Sequence, residues 1–145
     1  MSEPHIATVR PVPEEEATGK VAAIFRDIKE TKKLAAVTNF WRVLATNPDH
    51  LEMVWTRLKA LMHPEAAGRK PLLDPLTREI IALAVSATNG CAYCINSHTA
   101  ALCKLGMSVE TLGEVLAIVG LFNTTNKLAD AYQVVPDVLP PVEAR

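Results

Sequence analysis

The 145-residue chain lacks a surplus of either charge, a long apolar run and any strand-like alternation, and each lack removes a class of function. Net charge is −1 with basic residues scattered, so there is no electrostatic footprint for nucleic acid and no basic amphipathic membrane helix. The most apolar stretches, Ile80 to Ala87 and Val115 to Phe122, fall far short of the roughly 20 residues that span a bilayer, and read as buried helix. Met1-Ser2-Glu3-Pro4-His5 is polar and shows no basic segment followed by an apolar one, so no secretory leader is expected and the protein is expected to be cytoplasmic. No segment alternates with period two and no strand-turn-strand signal occurs, which predicts an all-α fold. No solenoid repeat is present either.

What is present is ample apolar material, 49% of residues, for a single domain over residues 1–145 that needs no covalent staples. Residues 1–13 carry three prolines and predict an extended arm. Glu14-Glu15-Glu16 places negative charge where a helix N-terminus favours it; Val21, Ile24, Phe25 and Ile28 follow at helical spacing, and Lys32-Lys33 close a helix over 14–31. Asn39 to Thr46 predicts a short helix with Phe40, Val43 and Leu44 inward. Asn47-Pro48 reads as an N-cap followed by proline at the first helical position, opening a helix to about Met62 with Leu51, Val54, Trp55, Leu58 and Leu61 on one face. His63 to Leu73 is the clearest loop, and Asp74-Pro75 repeats the cap signal for a helix to about Thr88. Asn89-Gly90 breaks it, a helix from near Cys91 ends before Gly106, and Ser108 caps a last helix to about Tyr132, with a bend expected near Gly120 or Thr124-Thr125. The proline-rich tail 134–145 is extended. The expectation is a bundle of five to six helices joined by short turns.

Three cysteines in a chain with no export signal point to catalysis or metal binding rather than to structural bridges. Two of them form Cys91-Ala92-Tyr93-Cys94, with His98 four residues on. At about 100° per residue, Cys94 lies about 60° and His98 about 20° around the helix from Cys91, so all three share one face. Thiols at i and i+3 are near enough for a disulfide. A helix N-terminus and a nearby protonated histidine both favour the thiolate, which attacks a peroxide oxygen or a disulfide sulfur; a second thiol three residues away then resolves the product as a disulfide. Glu79 opens a stretch whose next nine residues include only Ser86 and Thr88 as polar side chains, so it is expected to be partly buried and able to shuttle a proton once the Asn89-Gly90 break turns the chain back.

The pattern Glu79-x₁₁-Cys91-x-x-Cys94-x₃-His98 resembles the active-site pattern of the alkylhydroperoxidase D family, within the carboxymuconolactone decarboxylase-like superfamily. The run Ala84-Val85-Ser86-Ala87-Thr88-Asn89-Gly90 into the cysteines, and Asn39-Phe40-Trp41-Arg42-Val43-Leu44-Ala45 upstream, are similar to its peroxidase-related branch. The resemblance implies a helical subunit of a homotrimer or homohexamer and a cofactor-free hydroperoxide reductase. In it Cys94 would be peroxidatic, Cys91 resolving, and His98 with Glu79 a proton relay. The partners it implies are a small hydroperoxide and an external dithiol, dihydrolipoyl or thioredoxin-like. The best-known members have histidine immediately before the second cysteine, where this chain has Tyr93.

Other readings stand beside this one. A zinc site would use Cys91, Cys94 and His98, but three ligands on one helix face do not enclose a tetrahedral ion. Attachment of a c-type haem needs histidine directly after the second cysteine, and a thioredoxin fold needs a βαβ pattern. A thiol-disulfide relay or redox sensor acting on a protein remains open, as does a decarboxylase or lactone-processing relative. Cys103, about 180° around from Cys94, reads as a small buried hydrophobe. Tyr93 either lines the pocket or packs in an interface. His5, His50 and His63 share no ligand spacing. The apolar helices 80–88 and 115–122 are hard to hide in one small bundle, which independently predicts self-association.

Overall fold

The computed structural model describes residues 6–140; the outer ends of the expected arm and tail, and His5, lie outside them. All regular structure among these residues is helical, as the absence of alternation predicts. The chain forms two compact units that divide between Leu72 and Leu73. None of the described helices is long and apolar enough to cross a membrane.

The N-terminal unit holds α1 (Gly19–Lys32), α2 (Asn39–Leu44) and α3 (Pro48–Met62), with 3-10 turns at Glu14–Glu16 and Glu65–Ala67. Helices α1 and α2 both pack on α3. The described part of the arm carries no helix, and Val12 is tied to α2 by a bond from its N–H to the Arg42 carbonyl (2.9 Å) and one from Arg42 Nε to its own carbonyl (3.2 Å). One core runs through the unit: Phe25 and Ile28 of α1, Val37, Trp41 and Ala45 around α2, and Leu51 and Trp55 of α3. The two indoles meet edge to face at 5.3 Å between centroids, the arrangement aromatic quadrupoles prefer. Trp55 stays polar-satisfied by donating Nε1–H to Asp27 (2.6 Å), which Lys59 also neutralises (2.7 Å).

Three local expectations are corrected here. The first helix begins at Gly19 rather than Glu14, because the glutamates serve as side-chain acceptors instead of opening a helix: Glu14 receives Lys29 and the Val37 N–H, and Glu16 receives Arg10. In α2 the buried positions are Trp41 and Ala45, while Phe40 is exposed and Val43 and Leu44 are only partly covered. A helix of six residues has room to bury a single i, i+4 stripe, and the larger indole takes it. On α3, Leu61 is also exposed, since the buried stripe through Leu51 and Trp55 has rotated away from it by the last turn. The Asn47 cap is as expected, its side chain accepting the His50 N–H at 3.1 Å with Pro48 at the helix start.

The C-terminal unit consists of α4 (Pro75–Asn89), α5 (Ala92–Lys104) and α6 (Val109–Ala131), followed by non-helical residues 134–140. Helix α4 packs against both others. Asp74 caps α4 by accepting the Thr77 N–H at 2.9 Å, and Ser108 caps α6 by accepting the Thr111 N–H at 3.1 Å. Helix α6 runs through Gly120 and Thr124-Thr125 without a break, and Thr124 returns its hydroxyl to the Gly120 carbonyl. Among the described residues of this unit only Arg78, Leu83, Ser86 and Leu102 are buried, and α6 buries none.

Candidate functional site

The turn between α4 and α5 places the cysteines. Gly90 sits in the left-handed region (φ 69°), a conformation that glycine adopts without a Cβ penalty. That turn lets the Gly90 N–H reach the Ala87 carbonyl and the Cys91 N–H reach the Ser86 carbonyl (3.0 Å), a Schellman closure that satisfies the last carbonyls of α4. Cys91 is thereby both the residue that completes the end of α4 and the N-cap of α5, with extended backbone angles (φ −83°, ψ 91°). Its sulfur accepts the N–H of Cys94 at 3.2 Å, in the role that serine or aspartate usually fills at a helix start. The same reversal ends α5, where Gly106 (φ 88°) follows Leu105 and the Met107 N–H returns to Leu102.

Cys91 and Cys94 are joined as a disulfide with their Cα atoms 5.3 Å apart, within the range the bridge requires. Both residues are partly exposed, so a reactant has access to the pair. From α4, Glu79 Oε2 meets His98 Nδ1 of α5 at 2.7 Å, with side-chain exposures of 17% and 26%. The reversal at Gly90 makes this pairing possible, bringing together residues 19 apart in sequence. With Nδ1 committed to the carboxylate, His98 keeps Nε2 for a second partner, and the carboxylate holds the ring's orientation. The structure thus brings Glu79 to His98 and Cys91 to Cys94, and His98 follows Cys94 by one helical turn on α5.

The remaining candidates fall elsewhere. Cys103, expected to be buried, is a free and exposed thiol, and the buried position of α5 goes to its larger apolar neighbour Leu102 instead. Tyr93 is 45% exposed beside Cys94. Among the described residues no group of three or more His, Cys, Asp or Glu side chains is placed to hold a metal ion. An open groove of about 490 Å³ lies between α4 and α6, lined by Ala84, Val85, Thr88, Ile118, Phe122 and Asn123. Thr88 and Val85 leave α4 on the side away from Glu79, and the lining of the groove includes neither cysteine of the pair nor His98. Two contributors escape sequence reasoning. Ser86 is buried and offers its carbonyl to Cys91, and Arg78 is buried with one bond to the Leu73 carbonyl (2.9 Å) and no partner for Nε. A serine or arginine in a helix carries no signal of either situation.

An all-helical chain whose cysteine pair closes at the head of one helix, with a histidine one turn on and a glutamate from the preceding helix, defines a class of small helical dithiol proteins. The chain belongs to the carboxymuconolactone decarboxylase family, whose model matches residues 48–137, and within that superfamily it is alkylhydroperoxidase D-like. It is similar to the crystal structure of the alkylhydroperoxidase AhpD core from Rhodospirillum rubrum, at 43% identity and TM-score 0.82 over 91% of this chain and 95% of that one. It is also similar to the alkyl hydroperoxide reductase AhpD of Brucella anthropi (34% identity over 73% of this chain) and that of Streptomyces griseus (28% over 86%). The chain spans 59% and 69% of those two proteins' lengths.

Proposed function

We propose that the chain is a cofactor-free thiol peroxidase that reduces hydroperoxides at Cys94. The observation that carries this reading is the closed Cys91–Cys94 bridge at the head of α5 with the Glu79–His98 pair linking α4 to α5. In the reduced protein, His98 takes the Cys94 proton and Glu79 holds the resulting imidazolium. The Cys94 thiolate attacks the terminal peroxide oxygen, the O–O bond breaks, and an alcohol leaves with a proton from the relay. Cys91 then attacks the sulfenic sulfur, water departs, and the disulfide of the present structure results. An external dithiol, dihydrolipoyl or thioredoxin-like, restores both thiols.

The names of the relatives support the hydroperoxide as substrate, and the exposed apolar surface of the C-terminal unit supports self-association, for which the family resemblance implies a homotrimer or homohexamer. The reduced protein, mixed with a slight excess of cumene hydroperoxide, is expected to consume it as the Cys91–Cys94 disulfide forms. Cys94→Ser is expected to abolish both. Full peroxide turnover by Cys94→Ser would refute the assignment. Untouched peroxide, with rapid exchange against a protein disulfide, would replace it by a redox relay or sensor. Turnover of a lactone substrate that survives alkylation of both thiols would replace it by a decarboxylase-type function.

A further inference from the structure

The two sulfurs of the bridge occupy different environments, and the difference bears on how the disulfide is reopened. Cys91 is the N-cap of a 13-residue helix, and its sulfur already accepts the Cys94 N–H at 3.2 Å. When that sulfur becomes anionic the same bond becomes charge-assisted, and the positive end of the α5 dipole adds its favourable field. Cys94 lies inside the first turn, and its own N–H points back at Cys91. One turn further along the helix comes His98, held by Glu79 at 2.7 Å. Thus one sulfur is equipped to carry negative charge, and the other has a proton carrier one turn on along its helix.

We propose that the reducing thiol attacks Cys94 and that Cys91 is the leaving sulfur, so that the mixed disulfide with the reductant forms on Cys94. This deepens the dithiol reading above and rests on it. An incoming thiolate bonds to Cys94 Sγ, and the Sγ–Sγ bond breaks with its electron pair passing to Cys91, which departs as a capped thiolate without needing a proton. If the reductant is a dithiol, its second thiolate then attacks the reductant's own bridging sulfur. Cys94 is released and protonated through His98, and the reductant leaves as a disulfide. Two electrons move from the dithiol to the protein, and both cysteines end reduced. Exchange rates rise as the leaving thiol becomes more acidic, so the attack on Cys94 outruns the attack on Cys91. The same stabilisation makes Cys91 a ready nucleophile toward a sulfenic acid on Cys94.

The test uses no peroxide, so it is independent of the substrate assignment, which the Cys94→Ser turnover assay decides. Oxidised wild-type protein is mixed briefly with 2-mercaptoethanesulfonate, quenched in acid, labelled with N-ethylmaleimide and sequenced by tandem mass spectrometry. At the shortest times the sulfonate adduct is expected on Cys94 and the maleimide on Cys91, favoured about tenfold over the reverse. In parallel, iodoacetamide alkylation is followed against pH in Cys94→Ser and Cys91→Ser, the latter retaining a serine cap. Cys91 alone is expected to react at lower pH than Cys94 alone. An early adduct on Cys91, or a more acidic Cys94 in the single-thiol variants, overturns the proposal.

Discussion

The two halves of the chain solve different problems. The N-terminal unit gathers buried apolar residues of its three helices in one core around two indoles, and the ion pairs Asp27–Lys59 and Glu14–Lys29 tie α3 and the Glu14–Glu16 turn to α1. Among its described residues the C-terminal unit buries four, two of them polar, and leaves Leu116, Ile118, Leu121, Phe122 and Leu128 of α6 between 40% and 56% exposed. Yet the second unit holds the cysteines, the His98–Glu79 pair and the reversal at Gly90. The contrast shows a fold whose packing energy and reactive chemistry sit in separate segments. The chemical segment depends for its geometry on caps and turns more than on a deep core.

Substitutions divide the two units by size of effect. Trp55→Ala should cost most, about 3–5 kcal/mol, because it opens a large cavity and takes the indole N–H from Asp27. Urea denaturation monitored by far-UV circular dichroism measures it, and a loss below about 1 kcal/mol would show that the N-terminal core is not the stabilising element. In the other unit, Leu83→Ala should cost about 2–3 kcal/mol, at the lower end of the usual range, since the surrounding residues are sparsely buried and free to relax. Equal losses at the two sites would erase the contrast.

Gly90→Ala tests the turn itself. No atom lies within 4 Å of the position a Cβ would take, so only the left-handed backbone resists, at about 1–2 kcal/mol. The variant should also slow closure of the Cys91–Cys94 bridge after mild oxidation, a readout that a purely global loss of stability would not single out. The N-caps come next: Asn47→Ala in the first unit and Ser108→Ala in the second should each cost about 1 kcal/mol, the same in both because capping is local.

The smallest effect is set by pH. Burial raises the Asp27 carboxyl, but the hydrogen bonds from Lys59 and Trp55 outweigh it and hold its pKa below the ordinary value. Bonds from Lys29 and from the Val37 N–H lower Glu14 likewise. A lowered folded-state pKa contributes stability above the unfolded pKa of about 4, and that contribution is lost as pH falls through the folded value. Melting temperatures of wild type and Asp27→Asn should therefore differ near pH 7 and converge in acid. With Asp27 two-fifths exposed, the gap should stay below about 1 kcal/mol. A gap that widens on acidification would reverse the sign of this account.

Much of the architecture was legible because its signals are local. Asn47-Pro48, Asp74-Pro75 and Ser108 mark helix starts through bonds that reach only three residues, and Gly90 and Gly106 mark ends through a backbone angle that belongs to one residue. The cysteine pair was legible for the same reason, since a helix N-cap and the residue three positions on are close whatever surrounds them. Errors fell where a side chain was claimed by something distant. Glu14 left its helix for Lys29 and the Val37 N–H, and Trp41 displaced Phe40 from the core because Trp55 was there to receive it. Cys103 was misplaced because burial depends on what lies opposite, and a helical wheel shows only which residues share a face.

By itself, then, the sequence determined the helices, their caps and the co-facial dithiol, because hydrogen bonds within a turn decide them. Only the tertiary structure decided that Glu79 reaches His98 across 19 residues and which apolar faces stay open. Those outcomes depend on how one helix lies against another, which is governed by the summed packing of many side chains rather than by any short motif.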